Sequence, residues 1–312
     1  MIELRKDSGI PRSVLFMMAA VSGLTVANLY YNQPLLEDIR HDLQASEVQA
    51  NFITFVTQAG YALGLLLVVP LADMWSRRRI ATTSMVVAII MLLLIATTQH
   101  VMVLWAASLL LGICSVIPQM FVPMARLYSL PHNKSRNMGY VLSGLLSGVL
   151  GARVISGYVG DWWGWRVMFG IAAVIMTMCL VVILRMLPQM RPTYEGNFAG
   201  LMKSIATIYR QHSLIRLYSV RAAFAFGSMM SVWSCMAFHL SGAPFNAGSE
   251  TVGMLGLCGM AGAMAASGIG RLIPRYGIMR ISLAGSVLQL CAWAVACRWW
   301  CFLREHARLQ GT

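Results

Sequence analysis

Residues 69–79 read VPLADMWSRRR and connect the end of one apolar run, Asn51–Ala72, to the start of the next, Ile80–Thr98. A helix that crosses the hydrocarbon core of a bilayer needs about 20 apolar residues, and each run is close to that length. The segment between them carries one acid, Asp73, followed by three consecutive arginines. This pattern predicts two membrane-spanning helices joined by a tight, charged loop.

The composition of the whole chain is that of a membrane protein. Of its 312 residues, 58% are hydrophobic and 11% are charged, and the mean hydropathy is +0.67. Soluble domains carry about 25% charged residues, so the composition excludes a soluble enzyme, a disordered chain and a coiled coil. Backbone groups cannot stay unpaired in lipid, so every apolar run is predicted to be a helix. The nine predicted spans are Val14–Leu36, Asn51–Ala72, Ile80–Thr98, Val101–Ala125, Met138–Gly160, Arg166–Leu187, Leu214–Leu240, Thr251–Ile273 and Ile278–Cys297.

The excess of positive charge indicates an orientation in the membrane. A formal net charge of +13 would suggest nucleic acid as the partner of a soluble protein. If the amino terminus lies in the cytoplasm, most of the 24 Lys and Arg residues fall in cytoplasmic loops, as the positive-inside rule requires. We therefore predict a multi-pass inner-membrane protein with a cytoplasmic amino terminus and no nucleic-acid partner.

A repeat in the sequence divides the chain into two bundles of helices. Aligning Asp73, after the second span, with Pro274, after the eighth, places Leu71 on Leu272. Repeated bundles are typical of secondary transporters, whose substrate site lies between the repeats. The predicted units are a six-helix bundle at 1–187, a cytoplasmic linker at 188–212, a partial second bundle at 213–297 and an atypical tail at 298–312.

The end of the chain departs from the pattern of the rest. Cysteines and tryptophans cluster in residues 291–301, and Arg298, Arg304 and Arg308 follow the ninth span on the outer side, against the charge rule. Six spans in the first bundle predict six in the second, where three are found. We hypothesise that the chain leaves its ancestral reading frame near residue 290. The cysteine spacing is not that of a zinc site, and we predict no metal or cofactor.

The loop after the second span resembles a motif of the major facilitator superfamily, G-x-L-A-D-R-x-G-R-R. The matching residues are Leu71, Ala72, Asp73, Arg77 and Arg78. In the fifth span, the glycine motif of the antiporters of that family is matched at Gly139, Gly148 and Gly157, whereas Ala152-Arg153 replaces its Gly-Pro pair.

The resemblance implies an all-α membrane protein with a major-facilitator-type helical bundle, consisting of a complete amino-terminal half and about three helices of the other half. It also implies a bacterial efflux-type permease that moves a small solute by alternating access, with protons as a candidate coupling ion. With this motif, Asp73 and Arg77 or Arg78 are expected to form a charged latch that favours one conformation. The alternative is that the arginines only anchor the helix ends at the lipid headgroups.

Arg153 is the one ionisable residue predicted to lie well inside a span. Because a charge is costly there, it is expected to face a cavity or a partner and to attract an anionic group of a substrate. The alternative is an arginine that extends outward to the membrane surface. Three uncharged polar residues, Asn28, Gln58 and Gln119, are predicted to line the same cavity, although hydrogen bonding between helices would also account for them.

Small and aromatic side chains of the fifth span are assigned structural roles. Gly144 and Gly148, together with Ala152, form a ridge that allows another helix to approach closely. Trp162, Trp163 and Trp165 are predicted to form an aromatic belt at the outer membrane surface.

The leading functional hypothesis is a carrier of a small solute that moves two bundles around a central site. The alternative is a truncated product that no longer transports, since a carrier needs both halves to alternate. An enzyme within the membrane is not expected, because no G-x-S-x-G or H-E-x-x-H motif is present.

Overall fold

The computed structural model describes residues 9–188, 196–242, 245–256 and 276–310, and all regular elements in these ranges are helices. In the first half they are α1 (Arg12–Ala27), α2 (Leu36–Asp42), α3 (Glu47–Met74), α4 (Arg77–Thr97), α5 (Val101–Cys114), α6 (Ile117–Tyr128), α7 (Lys134–Trp163) and α8 (Trp165–Met186), with a 3-10 turn at Pro131–Asn133. They are followed by α9 (Phe198–Gln211), α10 (Ser213–Ser241), α11 (Ser249–Met254) and α12 (Ile278–Gln310).

Most of the predicted spans are confirmed as helices. Within the described ranges, six helical segments are long and apolar enough to cross a membrane, and they correspond to the second to seventh predicted spans. Span nine lies in α12, which continues through residues 298–310 of the predicted tail. Span eight begins in α11, and its residues 257–273 lie outside the described residues.

The prediction of one continuous helix for Val14–Leu36 is wrong. Helix α1 ends at Ala27, and residues 28–35 form a series of tight turns before α2 begins. The amides of Leu29 and Tyr30 bond to carbonyls three residues earlier, at 3.1 and 2.9 Å. Pro34 has no amide hydrogen to donate and restricts the residue before it, which disfavours a continuous helix through this segment.

Span four is also interrupted, between α5 and α6. The Ser115 hydroxyl bonds back to the Leu111 carbonyl at 2.7 Å, and Pro118 lies in the first turn of α6. A proline is tolerated in the first turn of a helix because the amide it lacks would have no partner there. The interruption redirects α6 so that it packs against both α1 and α7.

Close helix pairs build the first half, and small residues permit the closest approach. Helices α1 and α7 pack together, as do α3 and α5, and α4 and α8. A Cβ atom added at Gly144 or Gly148 would overlap the α1 backbone at Ala19 or Gly23. The predicted small-residue ridge on the fifth span is therefore confirmed.

The bundle has two ends, which we call the Asp73 end and the Asp42 end after residues at the tips of α3 and α2. At the Asp42 end, α7 turns into α8 through the single residue Gly164, whose φ of 85° favours glycine. Helix α9 lies within the predicted linker 188–212 and packs against α3 and α10.

Candidate functional site

Arg153 lies in the middle of the long helix α7 and is 2% exposed. Its Nε donates a hydrogen bond of 2.8 Å to Oε1 of Gln33, and its Nη1 donates one of 3.0 Å to the Val149 carbonyl. Gln33, which is 1% exposed, belongs to the turns between α1 and α2. The interruption of the first span therefore places an amide oxygen beside the guanidinium group.

Two aromatic rings flank the guanidinium group. Its central carbon lies 4.6 Å from the ring centroid of Tyr30 and 4.4 Å from that of Trp233. Trp233 belongs to α10, in the second half, and one turn earlier on that helix the Met230 sulfur accepts a 3.4 Å contact from Nε2 of Gln33. We call these five residues the arginine cluster. It joins the two halves of the chain.

The arginine cluster holds a positive charge without a counter-ion among the described residues, because none of the ion pairs found there includes Arg153. Burial of a lone charge costs several kcal/mol after relaxation. One amide, one carbonyl and two rings offset part of this cost. The guanidinium fork matches the geometry of carboxylate and phosphate groups, so the arrangement is suited to an anionic group.

Other buried polar groups lie on α1, the turns after it and α3. Nδ2 of Asn32 donates to Oγ1 of Thr57 at 3.4 Å, which in turn donates to a carbonyl on α3. Both amide atoms of Asn28, which is 2% exposed, and the Thr54 hydroxyl have no partner among the described residues. Buried polar atoms without partners are uncommon in proteins and indicate a place where water or a ligand would bind.

The predicted cavity residues are only partly brought together. Nε2 of Gln119 on α6 donates to the Tyr61 hydroxyl on α3 at 2.9 Å. Gln58 lies one turn before Tyr61, and its buried Nε2 has no partner among the described residues. Neither glutamine has a hydrogen bond to Arg153 or to Asn28.

The three residues predicted to form a latch lie at the Asp73 end. Asp73 and Arg77 form an ion pair with 3.2 Å between Oδ1 and Nη2, and Arg77 also donates to the Tyr128 hydroxyl on α6 at 3.3 Å. Arg78 bonds instead to the Leu184 carbonyl at the end of α8. These contacts tie α3, α4, α6 and α8 together within the first half.

The prediction of an aromatic belt is wrong for one of its three residues. Trp162 and Trp163 are 65% and 62% exposed, whereas Trp165 is 4% exposed. Its Nε1 donates to Oδ2 of Asp42 at 3.0 Å, and the same carboxylate forms an ion pair with Arg166. The turn at Gly164 directs Trp165 inward, where it ties α8 to α2.

Glu37 and Arg40 form a second ion pair on α2, 2.5 Å apart. The hydrogen bonds from Arg40 hold the pKa of Glu37 below its ordinary value, against the smaller opposing effect of burial. Glu37 therefore stays ionised at neutral pH and paired with Arg40.

Sequence reasoning identified the buried cation but missed its partners. Gln33, Tyr30 and Trp233 carry no motif, and Trp233 is 80 positions away from Arg153 in the chain. The available signal was the cost of a buried charge, which requires polar or aromatic partners. The polar pair Asn32-Gln33 before Pro34, inside an apolar run, was the sequence feature that fits this requirement.

Comparison with known proteins agrees with this architecture. A model of the Major Facilitator Superfamily matches residues 15–301. YgaY of Escherichia coli O157:H7, an uncharacterized transporter, is 33% identical over 242 residues, which are 78% of this chain and 61% of YgaY. A probable transporter of Streptomyces coelicolor is 32% identical over 290 residues, which are 92% of this chain and 67% of that protein. The chain thus spans about three fifths of the length of YgaY.

A solved structure shares the fold. The crystal structure of a bacterial homolog of the human lysosomal transporter Spinster, in an inward-facing and unoccupied conformation, has a TM-score of 0.70 with 15% identity. The likeness covers 86% of this chain and 65% of that chain. The apolar helices, the motif at the Asp73 end and the family match lead to one conclusion. The chain belongs to the major facilitator superfamily, a family of multi-pass membrane proteins that act as secondary transporters.

Proposed function

We propose that this protein is an inner-membrane carrier of a small anionic solute, with Arg153 as the group that binds the negative charge. The solute would bind between the two halves, which alternate in opening to either side of the membrane. The observation that carries the proposal is the arginine cluster, where a buried cation without an acidic partner among the described residues lies at the contact of both halves.

The chemistry of the arginine cluster supports an anion over a neutral solute. A carboxylate or phosphate accepts two parallel hydrogen bonds from a guanidinium group, and it would compensate a charge that now has only neutral partners. A bound anion would compete with Gln33 and Trp233 for the guanidinium group. Because Trp233 belongs to the second half, ligand binding would change the contact between the halves, as a carrier requires.

The direction and coupling of transport are further parts of the proposal. The glycines of α7 that resemble the antiporter motif support efflux, with protons as the coupling ion. The distribution of Lys and Arg supports a cytoplasmic location for the amino terminus and the Asp73 end. Asp73, Arg77 and Arg78 would then form the cytoplasmic latch, since their contacts hold four helix ends together.

Reconstituted vesicles provide the test. The full chain would be incorporated into liposomes and assayed for uptake of radiolabelled benzoate, succinate and glycerol 3-phosphate, with glucose as the uncharged reference. We expect uptake of at least one of the anions above that of glucose, and its loss in Arg153→Gln. Arg153→Lys keeps the charge but not the bidentate geometry, so it should retain part of the activity.

Arg79→Gln is the matched control, since it removes the same charge from an exposed position at the Asp73 end. It should insert and transport as the unsubstituted protein does. Transport that survives in Arg153→Gln would refute the role of Arg153. Correct insertion without flux of any of the four solutes would favour a product that does not transport.

A further inference from the structure

Two adjoining cavities of about 510 Å³ each lie between α1 and α7, and Phe16 and Tyr140 belong to the walls of both. One cavity is at the Asp73 end, and polar side chains make up much of its wall. The other extends along the two helices toward the Asp42 end, and its wall consists mainly of apolar and small side chains. Together they form one cleft with a polar end and an apolar length, which we call the α1–α7 groove.

Two arginines lie at the polar end of the groove. Arg12 begins α1 and Arg136 lies in the first turn of α7, and both line the cavity together with Asn133 and Asn137. Both arginines are exposed, and neither has a hydrogen bond or an ion pair with any described residue. A cation is unfavourable at the amino-terminal end of a helix. An anionic group between the two arginines would therefore compensate both their charges and the two helix ends.

The polar end lies at the level of the lipid headgroups. Both arginines come directly before apolar runs, which begin at Val14 and Met138. The Gly9 amide donates to the Tyr128 carbonyl at 2.9 Å, and the hydroxyl of the same tyrosine accepts from Arg77, so this end of α1 is at the Asp73 end of the bundle. Arginines at such a level face the phosphate groups of one leaflet.

The apolar length of the groove is long enough for an acyl chain. It follows α7 from Tyr140 to Ile155, a rise of about 22 Å, whereas one leaflet of the hydrocarbon core is about 15 Å thick. Ala20 and Leu24 line it from α1. A Cβ added at Gly151 would have no atom within 4 Å, so the space beside this residue is open.

The groove lies on the side of α7 that faces away from the second half. Gly151 and Ile155 are each two positions from Arg153, which is about 200° around a helix, so they lie on the opposite side from the arginine cluster. Helix α11 contacts α7 on the Arg153 side, where a Cβ added at Gly157 would lie 3.0 Å from the Cα of Gly253. Neither cavity has a described residue of the second half in its wall. The groove therefore opens toward the lipid.

We propose that the α1–α7 groove binds an anionic phospholipid of the surrounding membrane. The phosphate group accepts hydrogen bonds from Arg12 and Arg136, whose guanidinium groups match its geometry, and one acyl chain lies along α7 from Tyr140 to Ile155. Basic pockets between membrane helices are where anionic headgroups bind. A neutral phosphatidylcholine fits less well, because its ammonium group would face the two arginines. This lipid site is separate from the anion site at Arg153 and does not depend on transport.

Photo-crosslinking tests the proposal directly. The full chain would be placed in phosphatidylcholine nanodiscs with a trace of phosphatidylglycerol that carries a diazirine group on one acyl chain. A parallel sample would carry the same acyl chain on phosphatidylcholine. After irradiation, we expect mass spectrometry to find labelled peptides in residues 16–27 and 140–155, with more label from phosphatidylglycerol. Each arginine should contribute about fivefold to this preference.

Substitution of the arginines tests the headgroup site. Arg12→Gln and Arg136→Gln should each lower the preference for phosphatidylglycerol about fivefold, and the double variant should lose it. Arg79→Gln is the matched control, since it removes the same charge from an exposed position at the same end, and it should keep the preference. Equal labelling by the two lipids in the unsubstituted protein, or an unchanged preference in the double variant, would overturn the proposal.

A second pair of variants tests the acyl-chain part of the groove. Gly151→Leu fills the open space without changing a charge and should remove the label from residues 140–155. Gly170→Leu adds the same atoms to open space on α8, outside the groove, and should label normally. Labelling that persists in Gly151→Leu would contradict the site. An unlabelled groove in the unsubstituted protein would show that another part of the chain covers it. Loss of label in the presence of excess glycerol 3-phosphate would assign the arginines to a soluble phosphate instead of a lipid.

Discussion

The bond between Gln33 and Arg153 allows a quantitative prediction. Gln33→Leu removes the only side-chain acceptor that Nε of Arg153 has among the described residues, and both side chains are almost fully buried. A hydrogen bond to a buried charge contributes about 1.5–3 kcal/mol, whereas neutral bonds between membrane helices average about 0.6 kcal/mol. The 2.8 Å distance and the lone charge favour the higher range, so we expect a loss of at least about 1.5 kcal/mol of unfolding free energy.

A double-mutant cycle isolates this contribution. In an Arg153→Met background the charge is absent, and Gln33→Leu should then cost little, which gives a coupling energy of about 1.5–3 kcal/mol. This energy corresponds to about a 10- to 150-fold change in the folding equilibrium. The free energies would be measured by unfolding in mixed detergent micelles at increasing denaturing detergent. A coupling energy no larger than the average of about 0.6 kcal/mol for neutral bonds would refute the idea that Gln33 supports a buried charge.

Two other substitutions test the packing of the first half and its latch. Gly148→Val adds atoms against the backbone of α1 and should lower the free energy of unfolding by about 1–3 kcal/mol. Gly151→Val on the same helix adds its atoms to open space, so it should cost less in the same unfolding measurement. Equal losses in the two variants would contradict close packing as the cause. Asp73→Asn weakens the ion pair with Arg77 and should abolish vesicle transport without changing membrane insertion. Glu47→Gln is the control and should transport normally. Full transport by Asp73→Asn would argue against a latch.

The positions of the second to seventh spans could be predicted because they follow from local composition. A run of about 20 apolar residues forms a helix in lipid whatever its neighbours are. The interruption after Ala27 could not be located in this way, because hydropathy treats residues 14–36 as one apolar run. Only the position of Pro34, with Asn32 and Gln33 before it, marks the place where the helical pattern fails.

Prediction of the candidate site from local sequence has the same limit, because its contacts join residues that are distant in the chain. Arg153 could be predicted from sequence because a charge inside an apolar span is anomalous by itself. Trp233 could not, because its contact depends on how α10 packs against the first half. The position of Trp165 near a helix end predicts a place at the surface, yet the positive φ of Gly164 turns its ring inward.

The proposed anion site lies beside a contact between the two halves, where α11 packs against α7. Gly157, which accepts the bond from Ser249, is four residues beyond Arg153 on α7, a distance of about 6 Å along the helix. The chain after Ser249 stays against α7, since a Cβ added at Gly253 would lie 2.5 Å from the Arg153 carbonyl oxygen. A movement of α11 away from α7 would therefore also lift Gly253 from Arg153. Separation of the two halves along this contact would thus loosen the packing around the proposed anion site.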